Sequence, residues 1–224
     1  YPYSIGELKL HTKNVLFSSV IPTATSGERV MILNSGKEEL SVQTDSRPSY
    51  LMAEINPSVL KPGETGEITL LFDGHAAKKP GRYTDNITLN ISKGGKKVKG
   101  KLQVSANLVD DFSRLSATAK ANAPQIQLSS TLIDFGVLSD KGKASQKFKV
   151  TNNGKSPLVI HSISCENELI TIQGGKKEIK PGATCTFTVQ LRPKEIKTKL
   201  EALINIVCND PNGPVRLIKI SASK

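Results

Sequence analysis

The chain is written twice. Residues 13 to 91 read again as residues 131 to 210: Val15-Leu16-Phe17, Asn34-Ser35-Gly36-Lys37 and Lys61-Pro62-Gly63-Glu64-Thr65 return as Ile133-Asp134-Phe135, Asn152-Asn153-Gly154-Lys155 and Lys180-Pro181-Gly182-Ala183-Thr184. Phe17 to Phe135, Asn34 to Asn152 and Gly36 to Gly154 are each 118 positions apart, and Pro62 to Pro181 is 119. Solenoids and propellers repeat every ~20 to 50 residues, so a period this long gives each copy its own core. The 224 residues divide into repeat 1 over residues 1–109, a linker over 110–123 and repeat 2 over 124–224. A copy of about 100 residues buries enough surface to fold without metal or disulfide staples.

Within each copy the regular segments alternate apolar with polar residues. Glu67-Ile68-Thr69-Leu70, Asn86-Ile87-Thr88-Leu89-Asn90-Ile91, Phe187-Thr188-Val189-Gln190-Leu191 and Ile204-Asn205-Ile206 are examples. Period two means strands with one wet face, and no long helical stripe competes with it. The segment from Asp110 to Ala121 is the least strand-like, small and polar, and reads as the linker with room for a short helical turn. Lys61-Pro62-Gly63 and Lys180-Pro181-Gly182 put Pro and Gly where a type II turn needs them. Asn34-Ser35-Gly36 and Asn152-Asn153-Gly154 suit the left-handed residues of a tight hairpin or bulge. The expected fold is all-β: two tandem immunoglobulin-like β-sandwich domains of about seven strands each. The paired cysteines around a buried Trp that mark antibody domains are missing, since the chain has no Trp.

The net charge of +11 comes from 25 Lys and 6 Arg against 20 acidic residues. Residues 1–108 hold 14 basic and 10 acidic residues, and residues 124–224 hold 15 and 8, so repeat 2 carries most of the excess. Specific nucleic-acid readers lean on Arg forks and stacked aromatics, whereas this surface is lysine-rich with 4% aromatic residues. The partner it suits is a protein or an anionic glycan rather than nucleic acid, met by a monomer through weak, salt-sensitive attraction. No run reaches the ~18 apolar residues of a membrane span. The chain opens on Tyr1-Pro2-Tyr3 instead of an initiator Met and basic leader, which fits a processed chain; a signal peptide or lipid anchor would lie before Tyr1.

Catalytic and metal motifs are hard to find. His11, His75 and His161 lack any H-x-x-x-H spacing and read as surface histidines, so no metal and no cofactor is expected. There is no Gly-x-Ser-x-Gly elbow, and Gly94-Gly95-Lys96-Lys97 and Gly174-Gly175-Lys176-Lys177 sit between strand signals, where such runs are ordinary solvated turns. Neighbouring acids such as Glu38-Glu39 and Asp110-Asp111 would point to opposite faces of a strand, and Asn209-Asp210-Pro211-Asn212-Gly213 is a turn without calcium-loop spacing. The chain is accordingly read as having no enzymatic activity. Cys165, Cys185 and Cys208 all fall in repeat 2. If segments 185–191 and 202–208 form an antiparallel hairpin, Phe187 faces Ile206, Val189 faces Ile204, and Cys185 faces Cys208. Cys185 and Cys208 are then either buried free thiols or a candidate disulfide, with Cys165 left unpaired.

The order Phe-Gly, Asn-x-Gly, Pro-Gly before an alternating strand, and a strand ending in Asn, resembles the hydin-type immunoglobulin-like repeats. These are also called ASH domains and are related to major sperm protein. Repeat 2 carries it as Asp134-Phe135-Gly136, Thr151-Asn152-Asn153-Gly154, Lys180-Pro181-Gly182 and Val207-Cys208-Asn209-Asp210; repeat 1 carries it with Ser18 in place of the Gly. The chain is also similar to an uncharacterised group of bacterial envelope proteins built from the same repeats. That group often shows a Ser-Cys-x-Cys motif, of which Ser164-Cys165-Glu166-Asn167 keeps one cysteine. The resemblance implies a non-catalytic adhesion, scaffold or ligand-binding protein that is exported, periplasmic or at the cell surface. An accessory glycan-binding domain pair of a larger enzyme or complex is the second reading, and an intracellular cytoskeletal-type scaffold, as in the eukaryotic relatives, the third.

Overall fold

A computed structural model describes residues 1–141 and 144–224 of the chain. It is all-β, and it forms two compact units: Tyr1–Lys79 with Tyr83–Leu108, and Pro80–Arg82 with Val109–Lys224. The expected pair of tandem immunoglobulin-like sandwiches is what forms, each with extra strands of two or three residues beyond the basic set.

Repeat 1 contains β1 (Tyr3–Ile5), β2 (Leu8–Leu10), β3 (Asn14–Val20), β4 (Thr25–Asn34), β5 (Leu40–Thr44), β6 (Leu51–Asn56), β7 (Val59–Leu60), β8 (Thr65–Asp73), the one-turn helix α1 (Gly74–Ala77), β9 (Gly81–Lys93) and β10 (Lys96–Leu108). One sheet runs β1-β2-β4-β8-β6 and the other β3-β10-β9-β5-β7. Alternation decides which side chains turn inward. On β8 the exposure pattern puts Ile68, Leu70 and Phe72 in the core with Thr69 and Leu71 between them half-covered, and β5, β9 and β10 answer with Leu40, Leu89 and Leu102 from the facing sheet. Each such residue taken wholly out of water contributes about 2 kcal/mol.

Repeat 2 follows the same plan. The helix α2 (Ala117–Ala121) precedes β11 (Ile126–Leu128), β12 (Leu132–Val137), β13 (Ala144–Asn152), β14 (Leu158–Cys165), β15 (Ile170–Gly174), β16 (Glu178–Ile179), β17 (Thr184–Leu191), β18 (Lys199–Cys208) and β19 (Val215–Ser223). Its sheets run β11-β13-β17-β15 and β12-β19-β18-β14-β16. Phe148 and Phe187 stack in the core with ring centroids 5.3 Å apart. The segment read as linker thus carries α2, started by Ser116, whose Oγ accepts a hydrogen bond from Ala119 N at 3.1 Å.

The repeated Asn explains the repeated turns. Asn34 ends β4 and Asn152 ends β13, and both are fully buried. Asn34 Nδ2 donates to the carbonyls of Glu38 (2.8 Å) and Leu60 (2.9 Å), and its Oδ1 accepts from Gly36 N (2.9 Å). Asn152 makes the same bonds to Ser156 (2.8 Å), Ile179 (2.9 Å) and Gly154 (2.9 Å). The main-chain carbonyl of each Asn also accepts from the Pro-Gly turn, from Gly63 N at 2.9 Å and from Gly182 N at 2.8 Å. One buried amide therefore ties the Asn-x-Gly turn to the Lys-Pro-Gly turn. The left-handed residues are Gly63 and Gly182, with φ of 76° and 75° as a type II turn requires. The expectation of left-handed residues in the Asn-x-Gly turns is overturned: among the described residues the one non-glycine with positive φ is Lys78. Gly154 is there for space, since a Cβ on it would sit 2.3 Å from the Ala123 carbonyl oxygen.

A second correction concerns the cysteine strands. β17 and β18 do not form a hairpin. Phe187 faces Phe148 and Gly174 within the four-stranded sheet, whereas Ile206 faces Ile163 and Arg216 in the other. The connection between them holds the buried Pro193, in a short 3-10 turn, and the buried Ile196, and these side chains draw the chain across the core to the opposite sheet. Cys185 consequently lies across from Val150, and Cys208 across from Ile160.

Candidate functional site

The residues singled out by sequence are dispersed. All three cysteines are free thiols in the structure; Cys208 is fully buried with its thiol directed at the Gly213 carbonyl at 3.3 Å, and Cys165 and Cys185 pack partly covered against the core. Burial pushes the Cys208 thiol up to about 11 and raises that of Cys165 as well. The register that set Cys185 against Cys208 is gone, because the two residues belong to different sheets. His11 Nδ1 accepts from Met31 N at 2.8 Å, and His75 lies beside Asp73, 3.3 Å from its carboxylate. His161 departs from the surface reading: its side chain is one-fifth exposed and its Nε2 meets Asp110 at 2.7 Å. Sequence missed that pair because its members are 51 residues apart.

The Asn209–Gly213 stretch is a turn with a structural task. Asp210 is buried; its Oδ2 accepts from Ile126 N and its Oδ1 from Asn212 N, both at 2.9 Å, so it pins β11 to the start of the last hairpin. Arg82, which groups with the second unit, forks onto Glu166 through Nε at 2.9 Å and Nη2 at 2.6 Å. The two Gly-Gly-Lys runs part company. Gly94-Gly95 is a hairpin turn with φ of 51° and 82° between β9 and β10, as expected of solvated turn chemistry. Gly174-Gly175-Lys176-Lys177 instead carries the chain from β15 in one sheet to β16 in the other, held by a 2.7 Å bond from Ile160 N to the Lys177 carbonyl.

Under that crossing lies a cleft of about 240 Å³, walled by Ile160, Ile163, Ile172 and Phe187 and rimmed by Lys176 and Lys177. At the 119-residue offset that superposes the Lys-Pro-Gly turns, Ile55 and Asn56 correspond to Gly174 and Gly175. Ile55 packs against the core of repeat 1, whereas its counterpart Gly174 lines the cleft. Repeat 1 has its own cleft of about 460 Å³ elsewhere, in whose lining Lys93 Nζ lies 2.9 Å from Glu7 and 3.6 Å from Glu38. The hydrogen bond to Glu7 holds that ammonium above the ordinary lysine range. Among the described residues no group of three or more His, Cys, Asp or Glu converges as metal ligands would.

Residues 124–223 match the sequence profile of the HYDIN/CFA65/VesB-like, Ig-like domain. The whole chain is similar to a crystal structure of a protein of unknown function from Porphyromonas gingivalis W83, at 28% identity and a TM-score of 0.83, covering 98% of this chain and 100% of that one. The ASH/PapD-like domain 7 of human CEP192 also aligns, at 12% identity and a TM-score of 0.39, over 49% of this chain and 92% of that one. The E. coli chaperone DraB aligns at 12% identity and a TM-score of 0.37 over 95% of each chain. No curated protein sequence matches. The resemblance carried by the Phe-Gly, Asn-x-Gly and Pro-Gly signals is borne out.

Proposed function

We propose that this chain, whose second repeat matches the HYDIN/CFA65/VesB-like Ig-like domain, is a non-catalytic binding and scaffold protein exported to the cell envelope. The observation that carries the reading is where the polar chemistry is spent. Asn34, Asn152 and Asp210, buried in the two repeats, each hold backbone groups of turns and strand ends. The three histidines sit in three separate settings, each beside a single partner. Enzymes concentrate perturbed acids, bases and donors around one reacting position; here such groups are distributed to stiffen a scaffold. Stiff sandwiches of this kind offer their edges and loops as working surfaces. The whole-length similarity to the Porphyromonas gingivalis protein supports taking the two repeats together as the working unit.

The test has two arms. Cells producing the natural protein with an epitope tag are fractionated and shaved with protease while intact, and the purified chain is assayed on ester, phosphate, glycoside and peptide substrates. Recovery in the envelope fraction without turnover is expected. Recovery from the cytosol alone overturns export, and turnover abolished by a single side-chain substitution overturns the non-catalytic reading.

A further inference from the structure

We propose that β15 is a docking edge for an extended segment of a partner protein, one that places an apolar side chain in the cleft beside it and acidic residues near its own N-terminal end. The inference rests on the binding-scaffold reading and names the site and the chemistry of what binds.

β15 ends its sheet, paired to β17 on one side only. Arg192 N donates to the Leu169 carbonyl at 3.1 Å, which fixes which residues of the ladder exchange hydrogen bonds. By the alternation of antiparallel pairs, Thr171 and Gln173 are bonded to β17, and the amide and carbonyl of Ile172 turn to the open side. Folded proteins blunt such edges with charge, proline or cover. The equivalent edge of repeat 1 follows that rule: β6 carries Glu54 and is followed at once by Pro57. β15 reads Ile-Thr-Ile-Gln-Gly, with neither device. Exposed backbone hydrogen-bonding groups and an apolar slot beside them are the two requirements for strand addition, in which main-chain bonds supply affinity and alternate side chains supply selectivity.

The slot is the Ile160, Ile163, Ile172 and Phe187 cleft, which Gly174 lines at the position where repeat 1 has Ile55. Ile172 contributes its side chain to the cleft and its backbone to the edge, so a strand laid antiparallel on β15 brings every second side chain to the cleft mouth. Charge sets the polarity of that strand. Lys176 and Lys177 follow the C-terminal end of β15, are exposed, and among the described residues belong to no ion pair. The N-terminal end of an antiparallel guest lies there, and acidic residues at that end meet both ammonium groups. Glu168 precedes the other end of β15 and disfavours acids in the opposite orientation.

The experiment uses the full chain and a fluorescein-labelled synthetic peptide of alternating threonine and valine with two glutamates at its N-terminal end. Its controls carry the glutamates at the C-terminal end, or a proline at the central valine. The first peptide binds with micromolar affinity, moving the glutamates weakens it several-fold, and proline removes it because one main-chain bond and the extended ladder are lost. Lys176→Glu with Lys177→Glu, a pair of surface changes, weakens the first peptide about tenfold. Ile172→Lys abolishes binding, with circular dichroism checking the fold, and bound peptide slows hydrogen exchange at the Ile172 amide. Absence of binding, equal binding of the proline peptide, or unchanged exchange at Ile172 overturns the proposal. Concentration-dependent dimers that Ile172→Lys dissolves give the edge to a second copy of the chain and overturn it as well. A partner cross-linked in the envelope equally by the wild type and by Ile172→Lys overturns the edge assignment while leaving the scaffold reading standing.

Discussion

Replacing either buried Asn by Ala should destabilise its own repeat by about 3 kcal/mol. In Asn34→Ala three hydrogen bonds disappear, to the Glu38 and Leu60 carbonyls and from Gly36 N. The partners at Glu38 and Gly36 are partly buried and recover water, so each loss costs about 1 kcal/mol net. The Leu60 carbonyl is bonded in a fully buried place and is left dry, at about 1 to 3 kcal/mol, and the rotamer freedom that Ala no longer has to give up offsets a fraction of this. With a urea slope of about 1.5 kcal/mol/M for a domain of this size, the midpoint falls by about 2 M. The four tyrosines, Tyr1, Tyr3, Tyr50 and Tyr83, all precede residue 84, so tyrosine fluorescence follows repeat 1 while far-ultraviolet circular dichroism follows both repeats. Asn34→Ala should move the fluorescence transition, and Asn152→Ala should move the dichroism transition and leave the fluorescence one in place. Asn152→Asp tests the donor role: its carboxylate would face the Ser156 and Ile179 carbonyls, which raises its folded-state pKa above the unfolded one. Its stability is then greatest below the unfolded value and is lost as pH rises through the folded value, so acidification partly rescues this variant. A loss below about 1 kcal/mol for both Ala variants would refute the turn-lock reasoning. Equal movement of both signals would show that the repeats unfold as one.

Three further outcomes follow from the same geometry. Gly182→Ala meets open space and pays only for its left-handed backbone, about 1 kcal/mol, whereas Gly154→Ala meets the Ala123 carbonyl oxygen at 2.3 Å and should cost at least twice that in urea unfolding; the reverse order would refute the close-approach explanation. Alkylation in denaturant without reductant should label three thiols, and alkylation of the native chain near neutral pH should spare Cys208, which is buried with its thiol pushed up to about 11; two thiols missing from the denatured count would reveal a bridge. Burial, with the 2.6 Å hydrogen bond from the Tyr50 hydroxyl to Asp85, holds the Tyr50 phenol well above the ordinary tyrosine range. Repeat 1 should therefore lose stability as pH rises past ~10, where the unfolded chain releases that proton first, and Tyr50→Phe should flatten this alkaline slope in the fluorescence-monitored transition.

What the sequence discloses is local, and what it withholds depends on contacts between distant residues. Period-two alternation placed Ile68, Leu70 and Phe72 on one face because a strand offers only two faces. The Pro-Gly turns were legible for a similar reason, since left-handed Gly63 and Gly182 are a property of four consecutive residues. The purpose of the Asn-x-Gly motif was hidden, because the decisive acceptor for Asn34 is the carbonyl of Leu60, 26 positions on. Strand order failed at β17 and β18 because alternation is the same whether the next strand pairs with its predecessor or crosses to the facing sheet. The buried Ile196 in the connection was the one clue to the crossing, as a hairpin loop has no reason to bury an isoleucine.

The candidate site was written in the repeat itself, in the places where the copies differ. The core and turn positions of the two copies largely agree, so a departure at a position that packs the core in one copy stands out in the other. Ile55 against Gly174 is such a departure, and Pro57 against Lys176 is a second, two residues away. The first places a glycine in the lining of the cleft, and the second removes the proline that follows the edge strand of repeat 1. Each alone has a bland reading, a tolerated cavity or a solvated lysine. Their coincidence beside the unguarded strand β15 is what separates repeat 2 from its twin, and it is why the docking edge is proposed there and not in repeat 1.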